Sequence, residues 1–157
     1  MKTHFPALLL TVSILTSCGG PETGQNAEKS PAAELEGTWK LLSGTLIEKG
    51  DTTVTDYTKN VSFIKIINDS HFAFLQHDLN KGKDTTTASF SAGGGAYTLK
   101  DSAYTEKLEY CTAREWEGNE FHFTISIQND TLVQRGVEKV EAAGVERLNI
   151  EKYVRVK

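Results

Sequence analysis

From Leu35 onward the chain alternates short apolar runs with polar punctuation, and within the runs the apolar positions recur every second residue. The pattern is clearest in 119–128. There Phe121, Phe123, Ile125 and Ile127 interleave with His122, Thr124, Ser126 and Gln128, as a strand with one buried face requires. Runs of similar length lie at 37–48, 60–68, 71–77, 87–92, 95–100, 103–116, 131–140 and 146–156. Long apolar stripes of helical period are absent. The best helical candidate, 137–145, reaches Gly144 after barely two turns, so a hairpin is expected there. These runs and their short turns predict an all-β domain. Its single antiparallel up-and-down meander is expected to close as a barrel of about 8–10 strands, since closure removes the sheet edges.

Hairpin turns fix which residues share a face. A two-residue turn at Asp101-Ser102 pairs Leu99 with Tyr104 and Tyr97 with Glu106, and one at Asn129-Asp130 sets Leu132 and Gln134 beside the Phe and Ile face of 119–128. A turn at Glu117-Gly118 adds Leu108, Tyr110, Thr112, Arg114 and Trp116 to that side. The three turns agree on one interior, which mixes aromatic and polar groups. A plain core rarely holds so many polar side chains, because each must find a partner or cost roughly 1–3 kcal/mol. A lumen holding water or ligand tolerates them. The expected lumen residues are Tyr97, Tyr104, Glu106, Tyr110, Arg114, Phe121, Phe123 and Gln134. Glu106 and Arg114 lie eight residues apart, roughly 26 Å along a strand, and are expected to find separate partners.

Two registers stay open. A two-residue turn after 60–68 puts Phe63 and Lys65 with Phe72 and Phe74, whereas a three-residue turn substitutes Ile64 and Ile66, the more apolar set. The register of 146–156 is likewise undetermined.

The first residues have another character. One basic residue, Lys2, precedes an apolar core over 7–15 and small residues leading into Cys18, which reads as a signal peptide over 1–17 and is too short for a permanent span. Leu15-Thr16-Ser17-Cys18 resembles a bacterial lipobox, which implies acylation of Cys18 and a membrane partner through that anchor. Gly19, where an Asp would signal retention, implies delivery to the outer membrane, on a face left open. Residues 18–34 then comprise the lipidated cysteine and a flexible linker rich in Gly, Pro, Ser and charge, and 35–157 the folded domain. The whole chain has a formal charge of −4, and loss of Lys2 makes it more acidic, which argues against a nucleic-acid partner. With Cys18 acylated, Cys111 has no intramolecular thiol to pair with, so the domain holds together without a disulfide.

Gly37-Thr38-Trp39, at the start of the first strand, resembles the G-x-W signature of lipocalins. Arg155, near the C-terminus, matches the late arginine that packs over that tryptophan in the family. Stretches such as "HFAFLQHD", "AGGGAYTL" and "NDTLVQRGVEK" resemble the lipocalin-like domains of bacterial surface lipoproteins. The resemblance covers nearly all of 35–157 and implies a lipocalin-like, calycin-type barrel in which Trp39 plugs the closed end. A second lipocalin motif and room for the family's long helix after the barrel are missing.

Candidate chemistry is sparse. Segment 76–84 places Asp78, Asn80 and Asp84 at even spacing, but it lacks the glycine and final Glu of a calcium loop and carries Lys81 and Lys83, so a solvated hairpin is expected. His71, His77 and His122 have no zinc spacing. Gly93-Gly94-Gly95 lacks the Lys-Ser/Thr of a phosphate loop and is expected to mark a bend or bulge. Neither a catalytic constellation nor a metal or other cofactor is expected. The predicted function is binding of a small, partly apolar ligand in the lumen; the alternative is a filled barrel that docks on another envelope protein. A cavity well below about 300 Å³ would favour docking.

Overall fold

The computed structural model of the protein describes residues 34–157. Cys18, the signal sequence and all but the last residue of the linker lie outside them. Ten strands follow in order: β1 (Gly37–Glu48), β2 (Asp51–Asp56), β3 (Val61–Ile67), β4 (His71–Asp78), β5 (Phe90–Lys100), β6 (Ala103–Lys107), β7 (Tyr110–Cys111), β8 (Glu120–Gln128), β9 (Thr131–Val140) and β10 (Val145–Arg155). All pairings are antiparallel, in the spatial order β10-β9-β8-β6-β5-β4-β3-β1, and β1 returns to β10. The result is a closed, eight-stranded, up-and-down barrel, all-β as the alternation predicts. No helix among the described residues is long and apolar enough to cross a membrane.

Two of the predicted hairpins have the expected register. Tyr97 faces Glu106 and Leu99 faces Tyr104 across β5 and β6, while Ile125 faces Gln134 and Ile127 faces Leu132 across β8 and β9. The 137–145 segment is a hairpin, with a short 3₁₀ turn at Glu141–Ala143 ending at Gly144 in the left-handed region.

Three boundaries differ from expectation. The runs 87–92 and 95–100 merge into β5, whose glycines pair in unbroken register with Phe72, Ala73 and Phe74 of β4. Strand β2 went unpredicted because every residue of "DTTVTD" is exposed and hydrophobic alternation has nothing to register there. Its cue is the Lys49-Gly50 turn, whose two positive φ values of 52° and 92° suit a tight hairpin between β-branched runs. The third difference is the break of 103–116 after Lys107.

That break has a definable cause. Tyr97 pairs with Glu106, but Gly94 pairs with Tyr110, so two residues on β5 oppose three on the partner, a β-bulge. Lys107 O and Glu109 N sit where a Cβ on Gly95 would be, so only glycine fits opposite the bulge. One extra residue reverses the alternation. Leu108 is buried and Cys111 faces the interior, while Tyr110 is 70% exposed. The chain then leaves the sheet through a 3₁₀ turn at Arg114–Trp116 and rejoins it at β8.

The closed end is built around Trp39, which is fully buried. Its indole Nε1 donates to Leu35 O at 2.8 Å. The Arg155 guanidinium lies 4.1 Å from the ring centroid and donates to Glu36 O at 2.7 Å and to Glu34 O. Gly37 has φ +139°, and a Cβ there would come 2.7 Å from Arg155 Nη1. The tryptophan is thus capped on one face by a cation that also ties down the chain entering β1.

Candidate ligand-binding lumen

The upper half of the barrel encloses a cavity of about 260 Å³. Its residues come from the second half of β1, from Phe63 and Lys65 of β3, from Arg147 to Tyr153 on β10, and from the facing parts of β6, β8 and β9. Leu46 and Arg147 lie farthest from Trp39, which pairs with Arg155, so the mouth lies at the end opposite Trp39.

The floor is set by the β3–β4 register. The turn is the two-residue one: Asn68 N donates to His71 O, and Asn68 Oδ1 accepts from Ser70 N and His71 N at 3.0 and 2.7 Å. This asparagine-capped turn aligns Lys65 with Phe74 and directs Phe63 and Lys65 inward, leaving Ile66 41% exposed. The more apolar alternative is therefore not the one adopted.

Lys65 is 3% exposed. Its Nζ donates to Glu106 Oε1 at 2.6 Å and to Gln134 Oε1 at 2.9 Å, and lies 5.5–5.9 Å from the ring centroids of Phe72, Tyr104 and Tyr153. A buried ammonium is tolerated only when it is paired and hydrogen-bonded, and Glu106 and Gln134 supply both. Burial nevertheless pushes the Glu106 carboxyl above the usual range against the pull of Lys65.

Nearer the mouth, Glu138 accepts from Arg147 Nε at 2.8 Å and Asn149 Nδ2 at 2.7 Å. Burial raises its carboxyl too, and Arg147 opposes the shift. The Arg147 guanidinium lies 5.2 Å from the Trp116 ring, which fastens the 3₁₀ excursion to the rim. Glu151 Oε2 accepts from the Tyr153 hydroxyl at 2.7 Å. Burial drives the Tyr153 and Tyr104 phenols well above their ordinary value, so both stay neutral. The walls are aromatic: Phe63 stacks on Phe74 with centroids 5.8 Å apart, and Trp116, Phe121 and Phe123 form a continuous run.

Among the expected lumen residues, Glu106, Phe121, Phe123 and Gln134 line the cavity. Tyr104 is buried, with its ring against Lys65 Nζ, and Tyr97 packs on Tyr104 at 5.2 Å and donates to Asn68 O near the closed end. Neither is among the lining residues. Tyr110 and Arg114 are corrections. The bulge turns Tyr110 to solvent, and Arg114, with its side chain 81% exposed, pairs outside with Glu117 at 2.9 Å. Thr112 is outside as well, bonded to the β5 backbone. Sequence reasoning left Lys65 in the less apolar of two open registers and left the inward row Arg147, Asn149, Glu151 and Tyr153 of β10 unassigned. Their polar alternation, opposite Leu148 and Ile150, was the available signal, and apolar patterning points to the wrong face.

Outside the lumen, Asp78 is buried and accepts from Gly82 N at 3.0 Å and Ser89 N at 3.3 Å. Those amides, Gly82 first, hold its carboxyl below the usual range. It organises the loop after β4. Among the described residues, no group of three or more His, Cys, Asp or Glu is arranged to hold a metal. No family model matches the chain, and no curated protein matches it in sequence.

Proposed function

We propose that this protein is a lipid-anchored envelope lipoprotein whose lipocalin-like barrel binds a small, partly apolar ligand without transforming it. The observation that carries the reading is the cavity. It is half-open, walled by Phe63, Phe74, Trp116, Phe121 and Phe123, and floored by Lys65, Glu106 and Gln134. Preformed sites combine apolar walls with a few convergent polar groups in this way. At about 260 Å³ it is just below the usual range for drug-sized ligands, yet larger than the roughly 150 Å³ that suffices for benzene. The ligand is thus of one-ring size. The G-x-W pattern with its arginine supports the lipocalin-like assignment, and Leu15-Thr16-Ser17-Cys18 supports the anchor.

The test is a screen of one-ring aromatic and short aliphatic compounds against the full-length chain by NMR. Saturable shifts confined to lumen residues are expected, weakened by Phe123→Ala in protein that remains folded. Failure of every compound to perturb the lumen at millimolar concentration would refute the reading. The alternative, docking through the outer face, draws on the exposed Phe90 and Tyr110. It predicts that Tyr110→Ala, and not Phe123→Ala, removes function.

A further inference from the structure

The charges lining the cavity do not balance. Lys65 and Arg147 are its cations, and Glu106, Glu138 and Glu151 its carboxylates. Each cation is committed at close range, Lys65 to Glu106 at 2.6 Å and Arg147 to Glu138 at 2.8 Å. Glu151 is left with the neutral Tyr153 hydroxyl at 2.7 Å. Its cross-strand neighbours are Gly44 on β1 and Gln134 on β9, neither of which brings a charge. Among the described residues the half-buried Glu151 carboxylate therefore lines an aromatic cavity with a hydrogen bond but no ion-pair partner, and a charge on the wall of such a cavity is stabilised by pairing.

From this imbalance, and resting on the lumen-binding reading, we infer that the ligand is a small organic monocation, a primary amine on a one-ring or short aliphatic body, whose ammonium sits against Glu151. An anionic ligand would add a second unmatched negative charge. A neutral one would leave the first unmatched. The aromatic walls suit a cation as well as an apolar body, because ring faces attract ammonium groups. The lumen already holds one in that manner, Lys65 among Phe72, Tyr104 and Tyr153.

The test compares 2-phenylethylamine, 2-phenylethanol and 3-phenylpropanoate by calorimetry on the full-length chain at pH 7. The amine is expected to bind roughly tenfold to a hundredfold more tightly than the alcohol, the range for a charge-assisted hydrogen bond, and the propanoate most weakly. Glu151→Gln keeps an acceptor for Tyr153 and should abolish the preference of amine over alcohol. Equal binding of amine and alcohol, or a preference that survives Glu151→Gln, would overturn the monocation inference and leave lumen binding intact. Absence of binding by all three compounds, together with a silent neutral-compound screen, would overturn both.

Discussion

Replacing Lys65 by methionine tests the polar floor most directly. The substitution keeps an unbranched apolar stem in a site where the lysine is 3% exposed, but it removes the cation 2.6 Å from Glu106 and the donor 2.9 Å from Gln134. Removing one member of a buried pair costs about 3–5 kcal/mol, because the other is left charged in a poorly solvated place. Here the loss should depend on pH in a defined direction. Burial already raises the Glu106 carboxyl and Lys65 opposes that rise, so without Lys65 it rises further. A carboxyl whose folded pKa is raised keeps its full contribution below the unfolded value of about 4.3 and loses it as pH climbs through the folded value. Lys65→Met should therefore be mildly destabilised at pH 4.5 and approach the full deficit at pH 8. Adding Glu106→Gln should recover most of the deficit at pH 8. Urea unfolding followed by tryptophan fluorescence measures this, since Trp39 is fully buried. A deficit below about 1 kcal/mol at pH 8, or one equal at both pH values, would refute the reasoning.

Further outcomes follow from the same geometry. Trp39→Ala removes a fully buried aromatic and the ring on which Arg155 stacks, and calorimetric or denaturant unfolding should show a loss of roughly 3–5 kcal/mol. Tyr110→Ala and Arg114→Ala alter exposed side chains; each should change unfolding stability by less than about 0.5 kcal/mol and leave the affinity of any lumen ligand unchanged in the same titrations. Cys18→Ser, motivated by the Leu15–Cys18 pattern, should abolish incorporation of radiolabelled fatty acid in cells, and normal labelling of that variant would reject the lipobox.

What could be read from the chain depended on which side of each strand carries the oil. The β8–β9 and β5–β6 hairpins were legible because Phe121, Phe123 and Ile125 face inward and both turns are two residues long. Strands β3 and β10 invert the rule. Ile64, Ile66, Leu148 and Ile150 point outward while Lys65, Asn149 and Glu151 point into the cavity. Polar side chains that pair with one another across the lumen, as Lys65 does with Glu106 and Gln134, escape the penalty that normally keeps them out, so patterning alone favours the wrong face there. The Asn68 cap holds the correct register of the β3–β4 turn, and that local turn chemistry was present in "NDS". Tyr110 and Arg114 were misplaced for another reason. Gly93-Gly94-Gly95 does mark a bulge, but the extra residue lies on the facing strand at 107–109, and a triplet of glycines does not say on which partner the insertion falls.

The grip of Arg155 on the carbonyls of Glu34 and Glu36 also gives the molecule a polarity. Whatever precedes Glu34 joins the barrel beside Trp39, at the pole opposite the mouth of the cavity. An anchor ahead of Glu34 would therefore reach the barrel at its plugged pole, so the tether and the opening would not compete for the same rim.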